Sequence, residues 1–244
     1  AKILEGFTYY QMADYDRAEK IYTVCLKESV KKGSKLEIGN SYHALGNIYY
    51  ARYQLDKAEE YHKKCKKIKS DLNDQSGISR ALGSLGNIYL AKKSYEKSLK
   101  YYSQSLEIKK RIEDDQGIAL ILGNIGIIYF YQDQLENALK IQNESLILYK
   151  KLNELLGQSR ALANISKIHL SQDELTEAKE CMLESVEIKT ILKDRRGEAL
   201  LCSFLGLLYL RIGQYNGAIK FHSRSLSIWR KIDDRKGIIE CLLG

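Results

Sequence analysis

The 244-residue sequence contains no proline, only two methionines and a single tryptophan. Proline interrupts helices, so its absence permits long uninterrupted ones. The alternation of apolar and polar residues that marks a half-buried β-strand is also missing. No apolar run approaches the ~20 residues that a membrane-spanning helix needs, and no segment has the pattern of a signal peptide. These absences predict an all-α chain with no membrane partner.

Motifs for catalysis and metal binding are missing as well. The five cysteines include no CxxC pair, and their odd number argues against a disulfide framework and against a zinc site. Reduced thiols are typical of the cytoplasm. None of the four histidines has a cysteine or carboxylate at ligand spacing, and no HExxH, GxSxG or P-loop sequence occurs. We therefore expect a cytoplasmic protein that is not an enzyme, with no metal and no cofactor.

A repeat with a period of forty residues dominates the chain. The stretch 77–116 aligns with the rest of the sequence at shifts of forty without any gap. A fixed period of this size is the signature of a stacked repeat protein. The predicted repeats span about 1–36, 37–76, 77–116, 117–156, 157–196 and 197–236, followed by a stub at 237–244.

Stacked repeats bury one continuous core, so the sequence predicts a single array over 1–244. Terminal repeats usually carry polar caps, and neither end of this chain has one. We therefore interpret the chain as a fragment of a longer protein. We also expect its uncapped ends to self-associate, because they leave apolar surface open.

Each repeat is predicted to contain two helices. In 77–116 the apolar residues recur at intervals of three and four, first over 78–92 and then over 95–112. Gly86 and Ser98 are small, which would let the two helices approach closely. Acidic residues at the repeat boundaries, such as Asp74, are good N-caps for the helix that follows.

The packing residues of the repeat resemble those of the tetratricopeptide repeat family. In 77–116 they are Leu82, Leu85, Gly86, Tyr89, Ser98, Tyr102 and Ser105. The segment LGNIY at 45–49 and 85–89 is similar to sequences in the branch of the family with forty-residue repeats. That branch includes LGN/Pins-type adaptors and prokaryotic signalling proteins. The family's usual proline is absent. The resemblance implies a right-handed α-solenoid of stacked antiparallel helix pairs.

The resemblance further implies that the first helix of each pair lines an inner, concave wall and the second an outer wall. The candidate peptide-binding residues of the inner wall are Asn40, His43, Asn47, Tyr50, Arg80, Asn87, Asn124, Phe130, Tyr131, Arg160, Asn164, Lys167 and Arg211. Asparagine can pair with a peptide backbone, and arginine with carboxylates. We therefore expect a scaffold whose groove binds a protein or peptide partner that carries acidic residues.

Nucleic-acid binding is an alternative, because the net charge is +8. A phosphate-binding strip would then use the lysines at 63, 64, 66, 67 and 69, although a solvated outer face is the plainer interpretation. Acidic residues lie between the basic ones along the chain, which favours a peptide partner over a nucleic acid. A third alternative is a self-associating structural or regulatory module of a larger signalling protein.

Overall fold

The computed structural model describes residues 2–243, with side chains described as far as Cys241. Those residues form thirteen α-helices and no strand, which confirms the all-α class. The helices are α1 (Lys2–Gln11), α2 (Tyr15–Lys32), α3 (Lys35–Ala51), α4 (Leu55–Asp71), α5 (Gln75–Ala91), α6 (Tyr95–Arg111), α7 (Asp115–Tyr131), α8 (Leu135–Lys151), α9 (Leu155–Ser171), α10 (Leu175–Ile191), α11 (Arg195–Arg211), α12 (Tyr215–Lys231) and α13 (Arg235–Leu243). The predicted limits at Ala1 and Gly244 lie outside the described residues.

The turns between helices all have the same form. From α3 to α13, three residues separate each helix from the next. The middle residue of each turn has a positive φ, and such residues recur every twenty positions from 13 to 233. A residue in the left-handed backbone conformation ends the helix, and the chain reverses direction there. The forty-residue repeat is therefore two helix-and-turn segments of twenty residues each.

The chain divides into two compact units, Ala1–Ile121 and Leu122–Gly244, called here the N-terminal and C-terminal units. Within each unit, helices that are consecutive in sequence pack against each other, as α5 does with α6 and α11 with α12. None of the helices described has the length and apolar character needed to span a membrane.

The first helix of the third repeat begins three residues earlier than the apolar pattern predicts. It runs from Gln75 to Ala91 instead of over 78–92, because Asp74 is its N-cap. The Asp74 carboxylate accepts a hydrogen bond from the Gly77 backbone N–H at 2.8 Å. Equivalent caps confirm the predicted role of the boundary acids at Asp114, Asp194 and Asp234.

A buried lysine joins these caps to the preceding helix. Lys69 is only 2% exposed, and its Nζ lies 3.0 Å from Asp74. The Gly77 N–H and the Lys69 ammonium hold the pKa of Asp74 below its usual value. The expectation that Lys69 belongs to a solvated outer face is therefore wrong. The same pairing recurs between Lys109 and Asp114 and between Lys189 and Asp194.

Close contact between paired helices depends on a glycine. The Tyr102 ring, which is fully buried, lies directly over Gly86, and a Cβ at position 86 would overlap it. On the other side of the crossing, the Ser98 hydroxyl donates to the Gly86 carbonyl at 2.7 Å. The predicted close approach of the two helices at Gly86 and Ser98 is thus confirmed. The Tyr102 ring and the Ser98 hydroxyl both contact the backbone of Gly86.

Replacing Gly86 with alanine should lower the free energy of unfolding by about 1–3 kcal/mol, because the added methyl group must displace the Tyr102 ring. Gly123→Ala is the matched control: its Cβ would lie 3.4 Å from the Ser145 Oγ, an ordinary contact. There the helix propensity of alanine should leave stability equal or higher by up to ~1 kcal/mol. Urea unfolding of both variants measures the difference, and equal stability would refute the close-contact explanation.

Candidate functional site

A cavity of about 460 Å³ in the N-terminal unit brings together four of the predicted groove residues. Asn40, His43 and Asn47 lie on one face of α3, and Arg80 contributes from α5. We call this space the N-terminal cavity. Its remaining lining residues are Ile3, Phe7, Tyr10, Tyr22, Ala44, Cys65, Lys69 and Gly77.

The polar groups of the N-terminal cavity are only partly engaged with one another. The Asn40 side-chain oxygen accepts a hydrogen bond from the Lys69 Nζ at 2.8 Å, and Lys69 is also paired with Asp74. Arg80, which is exposed, has no salt bridge with any residue that the structure describes. Its guanidinium is therefore the cation of this cavity that a carboxylate from outside could bind.

His43, which lines this cavity, packs against the buried His62 of α4. The rings of His43 and His62 meet edge to face, with their centroids 5.2 Å apart. Burial, with a smaller contribution from Arg80 and Lys69, lowers the pKa of His43 to about 4. Burial and the neighbouring His43 lower the pKa of His62 to about 3. Both imidazoles are therefore neutral at physiological pH.

The C-terminal unit has a larger cavity of about 520 Å³, called here the C-terminal cavity. Three predicted residues line it: Arg160 and Lys167 from α9, and Arg211 from α11. The rest of the lining is Ser159, Ala163, Leu170, Met182, Lys189, Gly197, Leu200, Leu201, Phe204, Leu207 and Leu208.

A smaller cavity of about 150 Å³ lies beside it in the same unit, and Lys167 borders both. Three more predicted residues line this small cavity, namely Phe130, Tyr131 and Asn164. The Phe130 and Tyr131 rings are 5.8 Å apart. One face of α9 thus carries Arg160, Asn164 and Lys167 at a helical spacing of four and three.

Three predicted residues line none of these cavities: Tyr50, Asn87 and Asn124. Tyr50 is 37% exposed. The Asn87 side-chain oxygen accepts a hydrogen bond from the Tyr102 hydroxyl at 2.5 Å, so it is engaged in linking the two helices of its repeat. Arg211 lines the C-terminal cavity but is bound to Asp173 at 2.8 Å. A groove role for these residues remains a prediction.

One residue of the C-terminal cavity, Phe204, is not among those predicted from the sequence. Phe204 is 53% exposed on α11 and lines the C-terminal cavity. The sequence does contain a sign of this role. Phe204 is a bulky aromatic residue outside the packing register, at the position where the second repeat has Ala44. The aromatic residue Trp229, in contrast, packs in the core, since only 2% of it is exposed.

Within residues 2–243, no group of three or more histidine, cysteine, aspartate or glutamate side chains is arranged to hold a metal ion. The five cysteines are all free thiols, and Cys25, Cys65 and Cys202 are buried. Burial raises the pKa of the Cys65 thiol to about 11, which makes it a weak nucleophile.

Family comparisons identify the repeat. A tetratricopeptide repeat model matches residues 37–111, 77–151 and 117–191, and a second tetratricopeptide repeat model matches 201–235. The chain therefore belongs to the tetratricopeptide repeat family. No curated protein sequence matches it, and the specific resemblance to LGN/Pins-type adaptors stays a prediction.

Solved structures confirm the tetratricopeptide solenoid fold. BtubC from P. vanneervenii is similar with a TM-score of 0.78 and 16% identity, over 90% of this chain and 92% of that protein. A signal transduction ATPase with a tetratricopeptide repeat sensor from Pyrococcus horikoshii gives 0.80 and 21%, over 97% of this chain but only 36% of that protein. The Rap conjugation gene regulator of plasmid pLS20, solved with the Phr* peptide, gives 0.70 and 14%, over 87% and 59%. Identities this low show the fold alone.

The buried histidine pair predicts a loss of stability in acid. In the unfolded chain both side chains take up protons near pH 6.5, whereas in the folded chain they do so only near pH 4 and pH 3. Because a lowered histidine pKa favours the neutral folded form, stability should be fully present above pH 6.5. It should fall as the pH drops from there toward 4.

His62→Tyr should reduce this acid dependence. Tyr102 occupies the same register as His62, and its hydroxyl donates to Asn87, while Asn47 is the equivalent of Asn87. The new hydroxyl therefore has an amide oxygen to bind and no proton to take up between pH 4 and 7. Melting temperatures of the two proteins across that range provide the test. Above about pH 5, where carboxylates with a lowered pKa such as Glu59 add little pH dependence, the slope that remains should belong to His43. Identical slopes of the two proteins would show that His62 does not contribute.

Proposed function

We propose that this protein is a non-catalytic interaction scaffold that binds a peptide segment of a partner protein on the inner faces of its first helices. The observation that carries the proposal is the gathering of predicted groove residues around cavities in both units. Each of these cavities has an exposed arginine with no ion pair among the described residues: Arg80 in one, Arg160 in the other.

The side chains of these faces suit a peptide main chain and acidic side chains. Asn47 and Asn164 each offer a hydrogen-bond donor and an acceptor, which match the N–H and C=O groups of a peptide of any sequence. Arg80 and Arg160 offer forked donors that match carboxylates. The free thiols fit a reducing compartment, so we place the scaffold in the cytoplasm.

A structural neighbour supports a peptide as the ligand. The pLS20 Rap regulator, which has the same fold, was solved in complex with the Phr* peptide. We therefore favour a peptide or protein segment over a small-molecule ligand for this chain.

Nucleic-acid binding is the second candidate, and the net charge of +8 favours it. Ion pairs within the outer helix α4 weaken it: Lys63 pairs with Glu59 and Lys64 with Glu60, each at 2.6 Å. Lys69 is buried at its repeat junction. Of the five lysines in this cluster, Lys66 and Lys67 are left without a salt bridge among the residues described.

The test uses a partner protein captured with this chain, and it compares cations of the first helices with cations of a second helix. Arg80→Ala or Arg160→Ala should each weaken binding by about 1–3 kcal/mol, because the partner's carboxylate loses its charge-assisted contact. Lys66→Ala and Lys67→Ala, on the outer helix α4, are the matched controls and should change the affinity little. Titration calorimetry of the unchanged chain and the four variants, at three or more salt concentrations, gives the affinities.

Nucleic-acid binding predicts the opposite order of effects. The lysine variants should then lose more affinity than the arginine variants, and the logarithm of the binding constant should fall steeply and linearly with the logarithm of salt concentration. That result would replace the peptide scaffold with the second candidate.

A further inference from the structure

The C-terminal cavity differs in chemistry from the N-terminal one, although both use the same repeat register. Leu200, Phe204 and Leu207 line the C-terminal cavity from α11. Their equivalents 160 residues earlier, which line the N-terminal cavity from α3, are Asn40, Ala44 and Asn47. The fold is the same at both places, so it does not require the apolar side chains of α11.

These apolar side chains form a stripe that the described structure leaves open. The spacing of four and three places Leu200, Phe204 and Leu207 on one face of α11. Their exposed fractions are 41%, 53% and 41%. Leu170 of α9 lines the same cavity from the opposite side. Apolar side chains that line a cavity in this way mark a binding site when the surrounding rim is polar.

The rim of the C-terminal cavity is cationic. None of its lining residues is an aspartate or a glutamate. Two of the four cations are already neutralised, Lys189 by Asp194 at 2.7 Å and Arg211 by Asp173 at 2.8 Å. Arg160 and Lys167 have no salt bridge with any described residue. Two positive charges beside an apolar surface complement a ligand that carries carboxylates next to bulky apolar groups.

We infer that the C-terminal cavity binds an acidic segment of a partner protein, seating bulky apolar side chains against Leu200, Phe204 and Leu207 while Arg160 and Lys167 bind the flanking carboxylates. This inference rests on the proposed scaffold function and names the ligand class of one part of it. The apolar surface supplies the binding free energy, and the two cations supply selectivity against basic segments.

The experiment uses the 244-residue chain and three fluorescein-labelled twelve-residue peptides. The first has a central Phe-Leu pair flanked on each side by two glutamates, in a Gly/Ser background. The second replaces Phe-Leu with Ser-Ser, and the third replaces the glutamates with lysines. Fluorescence anisotropy should show the first peptide binding at least about tenfold more tightly than either of the others, since each lacks one of the two matched features.

Substitutions in the cavity test whether the first peptide binds there. Phe204→Ser and Arg160→Glu should each weaken binding of the first peptide about tenfold or more. Arg230→Glu is the matched control, because Arg230 is an exposed arginine of the same unit that lies on α12 and does not line this cavity, so this binding should stay unchanged. Arg80→Glu, in the same register as Arg160, reports separately on the N-terminal cavity. The three arginines and Phe204 are exposed, so circular dichroism should show all four variants folded.

Each contrary result has a distinct meaning. Equal binding of all three peptides, no binding of the first, or displacement of the first by decanoate in preference to the unlabelled peptide would overturn the inference. Loss on Arg80→Glu with no loss on Arg160→Glu would also overturn it, but would leave the scaffold function standing with its site in the N-terminal unit. If the scaffold function itself is wrong, the titration of the captured partner will show it, because the lysine variants will then lose more affinity than the arginine variants.

Discussion

The contact of a second-helix side chain with the backbone of a first-helix glycine is the constraint on which each repeat depends. Tyr102 over Gly86 and His62 over Gly46 are two forms of this contact. The glycine costs about 1 kcal/mol of helix propensity relative to alanine. That cost is offset because the two helices can approach until a large side chain lies flat on the backbone.

The fifth repeat is the exception, because both partners of this contact are different there. Ser166 replaces the glycine, and Met182 replaces the large ring sixteen residues on. Ser166 is fully buried and donates to the Ala178 carbonyl at 2.8 Å, whereas in the third repeat Ser98 donates in the opposite direction, to Gly86. The hydroxyl has moved from the second helix of the repeat to the first. The departure at position 166 is thus a compensated exchange within the same packing.

The sequence predicts helix pairs and their caps well, because the interactions that govern them are local. Asp74 caps the helix that starts one residue later, and a pattern of acids before glycines reveals it. Lys69 was misassigned because its partner is Asp74 across a turn, and a lysine in a lysine-rich helix resembles a solvated one. Phe204 was missed because a packing register identifies the residues that the fold needs, and the fold does not need Phe204. Cavity volumes depend on how neighbouring helices lie, which no single repeat encodes.

The separation of packing residues from wall residues explains why the fold alone does not define what such a chain binds. Proteins at 14–21% identity share this architecture, because it requires only a small set of registers in each forty-residue repeat. Within this one chain, the wall positions hold Asn40, Ala44 and Asn47 in one repeat and Leu200, Phe204 and Leu207 in another. Substitution at these positions makes the wall of a cavity more apolar without altering the glycine contact, since none of the six contributes a side chain to that contact. Selectivity can therefore change from repeat to repeat while stability is conserved, and the ligand must be deduced from the wall residues of each repeat.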